Sequence, residues 1–118
     1  MKKILVIDDD QGITDALKTI LEMEGFQVDI ATDAKKILIA QKSLPGLIIL
    51  DFFLGGVNGL SIAKSLRANE FTKNIPIVIF SADPNNRKKI DPLLVNDFLD
   101  KPFEMTELIN LANKYLPS

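Results

Sequence analysis

The sequence predicts an α/β protein in which a five-stranded parallel sheet has helices on both faces. Short, uninterrupted apolar runs recur along the chain, which is typical of strands buried on both sides. Segments with an apolar residue every three or four positions separate these runs, which is typical of helices that pack one face on a sheet. Parallel strands joined by helices require right-handed crossovers, so a doubly wound sandwich follows.

The first third of the chain predicts a strand, a helix and a second strand. Ile4–Ile7 is an unbroken apolar run, and Gln27–Ala31 is a weaker one. Between them lies a single apolar stripe at helical spacing, which predicts one amphipathic helix. The stripe consists of Ile13, Ala16, Leu17, Ile20 and Leu21.

The middle of the chain predicts a helix, a strand and another helix. Asp33 can cap the first of these helices, and Gly59 or Leu60 opens the other. The run Leu47–Leu50 between them predicts the third strand. The apolar positions are Ala34, Ile37 and Leu38 in the one helix and Ile62, Ala63 and Leu66 in the other.

The last third predicts two strands, at Ile77–Phe80 and, more weakly, at Asp97–Leu99. The fourth helix between them is expected to be short or broken, because Pro92 lies in its path and an interior proline costs about 3 kcal/mol. Pro84 or Asn85 is expected near its first helical position. A final helix carries Met105, Leu108, Ile109, Ala112 and Leu116.

Composition indicates one globular domain over residues 1–118, with a restricted chemistry. The 118 residues are 47% hydrophobic and 25% charged, with no cysteine and no histidine. Any chemistry must therefore use carboxylates, hydroxyls and lysine. The net charge of -2 and the strand-sized apolar runs lead us to expect no direct nucleic-acid binding, no membrane span and a cytoplasmic location.

The unusual polar residues follow the ends of the predicted strands. Asp8, Asp9 and Asp10 follow the first strand and Asp51 ends the third, while Ser81 ends the fourth strand and Lys101 follows the fifth. Taken singly, each fits an ordinary turn or helix cap. Taken together they meet where open parallel sheets bind ligands, beyond the carboxyl ends of the strands.

The clustered carboxylates predict a divalent cation. Two unit charges about 4 Å apart repel by about 4 kcal/mol at an effective dielectric near 20, so three carboxylates need an offsetting charge. Magnesium takes hard oxygen ligands and shares phosphate oxygens. A phosphoryl group on Asp51 would meet this metal, the Lys101 ammonium and the Ser81 hydroxyl, and carboxylates are known nucleophiles for making aspartyl phosphates.

Four motifs resemble those of the receiver domains of two-component response regulators, in the same order and across the chain from Lys3 to about Leu116. They are Ile4–Asp10, Leu50–Gly59, Ser81–Ala82 and Phe98–Phe103. The resemblance implies a flavodoxin-like (βα)5 fold of strand order 2-1-3-4-5, similar to that of chemotaxis Y proteins.

The resemblance also implies a role for each site residue. Asp51 is the expected phosphoacceptor, Ser81 and Lys101 contact the phosphoryl group, and Ser81 and Phe98 form the switch, with Phe98 turning inward. The expected ligands of Mg2+, or of Mn2+ in its place, are Asp8, Asp9, Asp51 and the backbone carbonyl of Phe53. Pro102 is expected to follow a cis peptide bond.

Implied partners are a sensor histidine kinase or a phosphotransfer protein. The chain would be a signalling domain rather than an enzyme, although it assists its own phosphoryl transfer and dephosphorylation. Phosphorylation would change the surface of the fourth helix, fifth strand and fifth helix. That surface would be read by a downstream protein, by an output domain beyond Ser118 or by a second copy in a phosphorylation-dependent homodimer.

Departures from the family pattern leave alternatives open. Gly55 replaces the usual proline, which predicts a more mobile loop, and the segment with Pro92 is shorter than usual. One alternative is a pseudo-receiver, an interaction module without the switch. Another is an aspartate-nucleophile phosphatase, although Phe53 stands where that class needs a second acid. A flavodoxin-like cofactor binder is disfavoured because three acids in the first loop repel phosphate.

Overall fold

The structure, a computed structural model, describes residues 2–32 and 44–117. Its strands are β1 (Lys3–Ile7), β2 (Gln27–Ala31), β3 (Leu47–Asp51), β4 (Phe53–Leu54), β5 (Val57–Asn58), β6 (Ile77–Ser81) and β7 (Asp97–Asp100). Its helices are α1 (Gln11–Met23), α2 (Gly59–Ala68), a 3-10 helix (Pro84–Lys89) and α3 (Met105–Tyr115).

The five longer strands form one parallel sheet of order β2-β1-β3-β6-β7. Counted along the chain, this is the predicted order 2-1-3-4-5, so the predicted doubly wound, flavodoxin-like α/β fold is confirmed. Each strand begins and ends within one residue of its predicted bounds. The apolar runs located the strands because the central strands are buried on both faces.

Alternate residues of each strand enter two separate cores, one on each face of the sheet. In β1, Leu5 and Ile7 join one core, while Ile4 and Val6 join the other. Apolar residues of α2 fill the first core, and those of α1 and α3 fill the second. The helices supply Ile62, Ala63 and Leu66 to the first, and Leu17, Leu21, Leu108 and Ala112 to the second.

The fourth helix is replaced by a single 3-10 helix, which confirms the prediction that it is short or broken. Pro84 occupies the start of this helix, as expected, and the Asp83 side chain caps it by accepting from the N–H of Asn85. After Lys89 the chain enters a turn at Asp91, whose carbonyl accepts from Leu94 and Val95 at 2.9 and 3.0 Å. Pro92 lies inside that turn and has no N–H to continue a helix.

A short hairpin between β3 and α2 was not predicted. β4 and β5 pair antiparallel across Gly55 and Gly56, whose φ angles are +54° and +82°. Positive φ at both central residues is what a two-residue type I′ turn requires. The helix that follows begins at Gly59, one of the two predicted starts, with Asn58 as its cap.

The predicted helix with Ala34, Ile37 and Leu38 lies outside the described residues. Over 2–32 and 44–117, no helix is both long enough and apolar enough to cross a bilayer.

Candidate functional site

The polar residues predicted to share a site meet at the carboxyl edge of the sheet. Asp8 follows β1, Asp51 is the last residue of β3, Ser81 is the last residue of β6, and Lys101 follows β7. Because β1, β3, β6 and β7 are parallel neighbours, their ends bring these side chains together.

Asp8, Asp9 and Asp51 form a carboxylate cluster. One oxygen from each lies within 4.8 Å of the others. The Asp8 side chain is 1% exposed and that of Asp51 is 13% exposed. Oxygen donors so close together fit a small, hard divalent cation, because without one their charges repel.

Backbone N–H groups hold two of these carboxylates in place. Asp8 Oδ1 accepts from the N–H of Asp10 at 2.9 Å, and Asp9 Oδ2 accepts from the N–H of Gly55 at 3.0 Å. Asp10 itself lies outside the cluster, since its side chain caps α1 by accepting from Ile13 at 3.3 Å. The hairpin of β4 and β5 therefore fixes one face of the cluster.

Lys101 faces the cluster from the end of β7. Its Nζ lies 3.4 Å from both Asp8 Oδ2 and Asp51 Oδ1, and 4.2 Å from the centre of the Phe80 ring. A single ammonium cannot neutralise three carboxylates, so the cluster keeps a net negative charge. This excess is available to a bound cation.

Asp51 carries the most perturbed carboxyl in the site. Its pKa is raised from the ordinary 3.8 to about 6, mainly by burial and also by the nearby Asp8 charge, while the Lys101 ammonium and a hydrogen bond from Phe53 N–H act in the opposite direction. At neutral pH the carboxylate is therefore mostly ionised but poorly solvated. A poorly solvated anion is suited to bond formation with an electrophile.

Ser81 lies across the cleft and is 4% exposed. Its Oγ accepts from the N–H of Asp83 at 3.1 Å and from Nδ2 of Asn86 at 2.8 Å. Asn86 was not predicted as a site residue, because an Asn85-Asn86 pair after a proline looks like any turn. The cleft has a volume of about 280 Å³ and is lined by Asp51, Phe53, Ser81, Ala82, Asp83, Asn86 and Lys101.

Phe53 and Pro102 complete the set of predicted site residues. The Phe53 side chain is 58% exposed beside the cleft, while the metal-binding role of its carbonyl stays a prediction. The Lys101–Pro102 peptide bond is cis, the isomer that the resemblance implies.

Phe98, the predicted switch residue, is buried in the described structure. The ring is 7% exposed and already lies in the core that faces α2, with the Arg87 guanidinium 4.6 Å from its centre. Arg87 also pairs with Asp100 at 2.8 Å. The inward turn of Phe98 on phosphorylation stays a prediction, and any such turn would have to release the contact with Arg87.

The profile of the family described as response regulator receiver domain matches residues 4–113. The chain belongs to this family. The DNA-binding dual master transcriptional regulator RpaA of Synechocystis is 37% identical to this receiver domain over 112 residues, covering 92% of this chain and 46% of RpaA. The chain spans about half the length of the transcriptional regulators that it matches.

Solved structures of response regulators share this fold. A putative response regulator from Chloroflexus aurantiacus has a TM-score of 0.89 at 29% identity, covering 99% of this chain and 98% of its own. TrrA from Thermotoga maritima, solved in complex with Mg2+ and BeF, has a TM-score of 0.86 at 29% identity, covering 98% and 99%. These similarities place the cluster within a signalling family rather than a family of classical enzymes.

Proposed function

We propose that this receiver domain accepts a phosphoryl group on Asp51 in a magnesium-dependent transfer and thereby controls a partner-binding surface. The observation that carries the proposal is the meeting of Asp8, Asp9 and Asp51 within 4.8 Å, with Lys101 3.4 Å from two of them. The phosphodonor would be a sensor histidine kinase, a phosphotransfer protein or a small acyl phosphate.

The residues present fit a divalent cation. Asp8, Asp9, Asp51 and the Phe53 carbonyl would hold Mg2+, and Mn2+ would suit the same oxygen donors. The bound ion would neutralise charge on the transferring phosphoryl oxygens. That the similar TrrA was solved in complex with Mg2+ and BeF supports a divalent cation in this chain.

The residues of this chain would divide the remaining work. An ionised Asp51 oxygen forms a bond to phosphorus while the P–N bond of a phosphohistidine breaks, and the imidazole nitrogen keeps the electron pair and takes up a proton. Lys101 and Ser81 would bind the phosphoryl oxygens, because catalysis of this reaction is mostly positioning and charge stabilisation. Water attack on phosphorus would later release phosphate and restore the carboxylate.

The signal would leave through the 3-10 helix, β7 and α3. The phosphoryl group would carry about -1.5 to -2 charges in place of the single charge of the Asp51 carboxylate. It would lie beside Ser81, which precedes the 3-10 helix, and Lys101, which lies between β7 and α3. A downstream protein, an output domain or a second phosphorylated copy would read the change. A cytoplasmic location, where kinases have their substrates, belongs to the same proposal.

Intact-mass spectrometry tests this proposal. Incubation with acetyl phosphate and Mg2+ should add one phosphoryl group to the wild-type chain, and none after chelation of the metal or in Asp51→Asn. A matched Asp15→Asn variant, which removes an exposed carboxylate from α1, should be modified like the wild type. An unmodified wild-type chain in Mg2+ would contradict the proposal.

The second candidate is a pseudo-receiver that binds a partner without a phosphorylation switch. The buried Phe98 and the replacement of the fourth helix by a six-residue 3-10 helix favour it, because they leave no obvious relay. A chain that is phosphorylated on Asp51 yet shows unchanged amide spectra over residues 84–115 would support this second candidate.

A further inference from the structure

Asn86 is a buried polar residue that touches the reaction site through Ser81. It is 3% exposed, and its Nδ2 donates to Ser81 Oγ at 2.8 Å. Its backbone N–H donates to the Asp83 carbonyl at 3.1 Å, which fixes the residue on the first turn of the 3-10 helix. Buried side-chain amides require hydrogen-bond partners, and the partner of this amide is the Ser81 hydroxyl in the cleft.

The hydrogen bonds around Ser81 decide where its proton can go. A serine hydroxyl has two acceptor lone pairs and one donor. Both acceptor positions are used, by Asp83 N–H at 3.1 Å and Asn86 Nδ2 at 2.8 Å. The nearest acceptor for the proton is the Asp83 carbonyl at 3.4 Å, which is longer than an ordinary O–H···O bond.

We propose that Asn86 is a positioning residue for phosphoryl transfer to Asp51. By occupying an acceptor lone pair of Ser81, it turns the hydroxyl proton away from the protein and leaves it for a phosphoryl oxygen in the shared cleft. The inference rests on the proposed function. The 3-10 turn after Asp83 brings Asn86 back to Ser81, so the proposal gives a role to a residue of the shortened fourth helix.

A double-mutant cycle tests whether Asn86 acts through Ser81. Phosphorylation rates with acetyl phosphate and Mg2+ are measured for wild type, Asn86→Ala, Ser81→Ala and the double variant. Loss of one oriented hydrogen bond should slow Asn86→Ala by about fivefold. In the Ser81→Ala background the same change should have almost no further effect. Equal effects in both backgrounds would overturn the proposal, and so would an unchanged or faster Asn86→Ala variant.

An isosteric pair keeps the test valid if Asn86→Ala folds poorly. Asn86→Asp offers only acceptors, so it would capture the Ser81 proton and slow phosphorylation more strongly than Asn86→Ala. Asn85→Asp adds the same charge at the exposed neighbouring position and should differ from wild type by less than about twofold. Equal rates for the two aspartate variants would overturn the proposal.

Binding of beryllofluoride gives a readout that does not depend on turnover. With Mg2+ present, it should shift the side-chain amide resonances of Asn86 in the wild type, because the Ser81 hydroxyl that accepts from Asn86 would donate its proton to the bound fluorides. Absence of that shift in a protein that binds beryllofluoride would overturn the role of Asn86 while leaving Asp51 as acceptor. A wild-type chain that is not phosphorylated at all would instead refute the proposed function.

Discussion

At the scale of single residues, Asp51 stands under opposing influences. Burial and Asp8 both disfavour its charged form, whereas Lys101 at 3.4 Å favours it. The result is a carboxylate whose pKa is about 6, held for function rather than for stability. A carboxylate kept charged in a buried site lowers the stability of the folded protein when no bound ligand offsets its charge.

Asp51→Asn should therefore stabilise the metal-free protein at pH 7. The folded-state pKa of about 6 exceeds the ordinary 3.8, so the folded state holds its proton more tightly and stability falls as pH rises from 3.8 to 6. Removing the charge should raise the free energy of unfolding by about 1–3 kcal/mol, measured by urea denaturation with a chelator.

Three comparisons test whether burial disfavours the charged form of Asp51. The difference between Asp51→Asn and wild type should shrink below pH 4, and Asp15→Asn should show no comparable stabilisation. Added Mg2+ should stabilise wild type more than Asp51→Asn. If Asp51→Asn is less stable than wild type at pH 7 with a chelator, then the folded protein does not disfavour the charged form of Asp51.

Gly55 has a backbone conformation that the β4–β5 hairpin requires. Its φ of +54° is closed to proline, and its N–H donates to Asp9, which proline could not do. Gly55→Pro, the usual family residue, should lower the free energy of unfolding by more than about 1 kcal/mol in urea denaturation. Gly55→Asn keeps the N–H and tolerates positive φ, so it should lose less. Equal stability of the two variants would contradict the hairpin geometry.

At the scale of elements, long polar side chains tie the loops to the sheet where regular structure is short. Arg67 of α2 donates to the carbonyls of Leu94 and Ile75 and to the Asn96 side chain, at 3.0, 2.5 and 2.7 Å. This one guanidinium therefore anchors the segments that lead into β6 and β7. The turn after the shortened fourth helix is thus tied to α2 through the Leu94 carbonyl.

Asp97 joins β7 to the end of α3. Its Oδ2 accepts from Lys114 at 3.0 Å and from Tyr115 at 2.9 Å, and its Oδ1 accepts from Phe98 N–H at 2.9 Å. Burial raises the Asp97 pKa, but these hydrogen bonds and the Lys114 charge outweigh burial and lower it. The carboxylate form is thus the one that holds α3 in place.

Asp97→Asn should destabilise the protein in a pH-dependent way. A lowered folded-state pKa gives stability that is present above the ordinary 3.8 and is lost as pH falls through the folded value. We expect a loss of roughly 0.5–1.5 kcal/mol at pH 7 by urea denaturation, and convergence with wild type once the pH falls below the folded-state pKa. Tyr115→Phe, which removes one donor, should lose less and stay pH-dependent. A pH-independent loss would show that the carboxylate charge is not involved.

At the scale of the whole molecule, the sequence predicted the sheet and the residues at its edge more fully than the path by which phosphorylation would change the surface. β1, β3 and β6 were readable because burial on both faces demands unbroken apolar runs. Asp8, Asp51 and Lys101 were readable as one cluster because parallel strands end at one edge. Their grouping follows from topology alone, without side-chain detail.

The parts that escaped prediction depend on contacts between distant residues. No rule of sequence spacing specifies these contacts, which depend on how the folded chain packs. They are the Asn86–Ser81 hydrogen bond, the hydrogen bonds of Arg67 and the Arg87 contact over Phe98. The β4–β5 hairpin did carry a local signal, the Gly55-Gly56 pair, which was interpreted only as a loosened loop. The switch role of Phe98 stays a prediction, because the rotamer of the ring depends on what covers it, which the sequence does not specify.

Chemical mapping of the modified residue is the most direct test of whether Asp51 is the phosphoacceptor. After acetyl phosphate and Mg2+ treatment, borohydride reduces an aspartyl phosphate to homoserine, which peptide fragmentation can locate. The account predicts homoserine at position 51 in the wild type and at no position in the chelated control. Homoserine at another aspartate, or none in a chain that has bound Mg2+, would contradict the assignment of Asp51 as the phosphoacceptor.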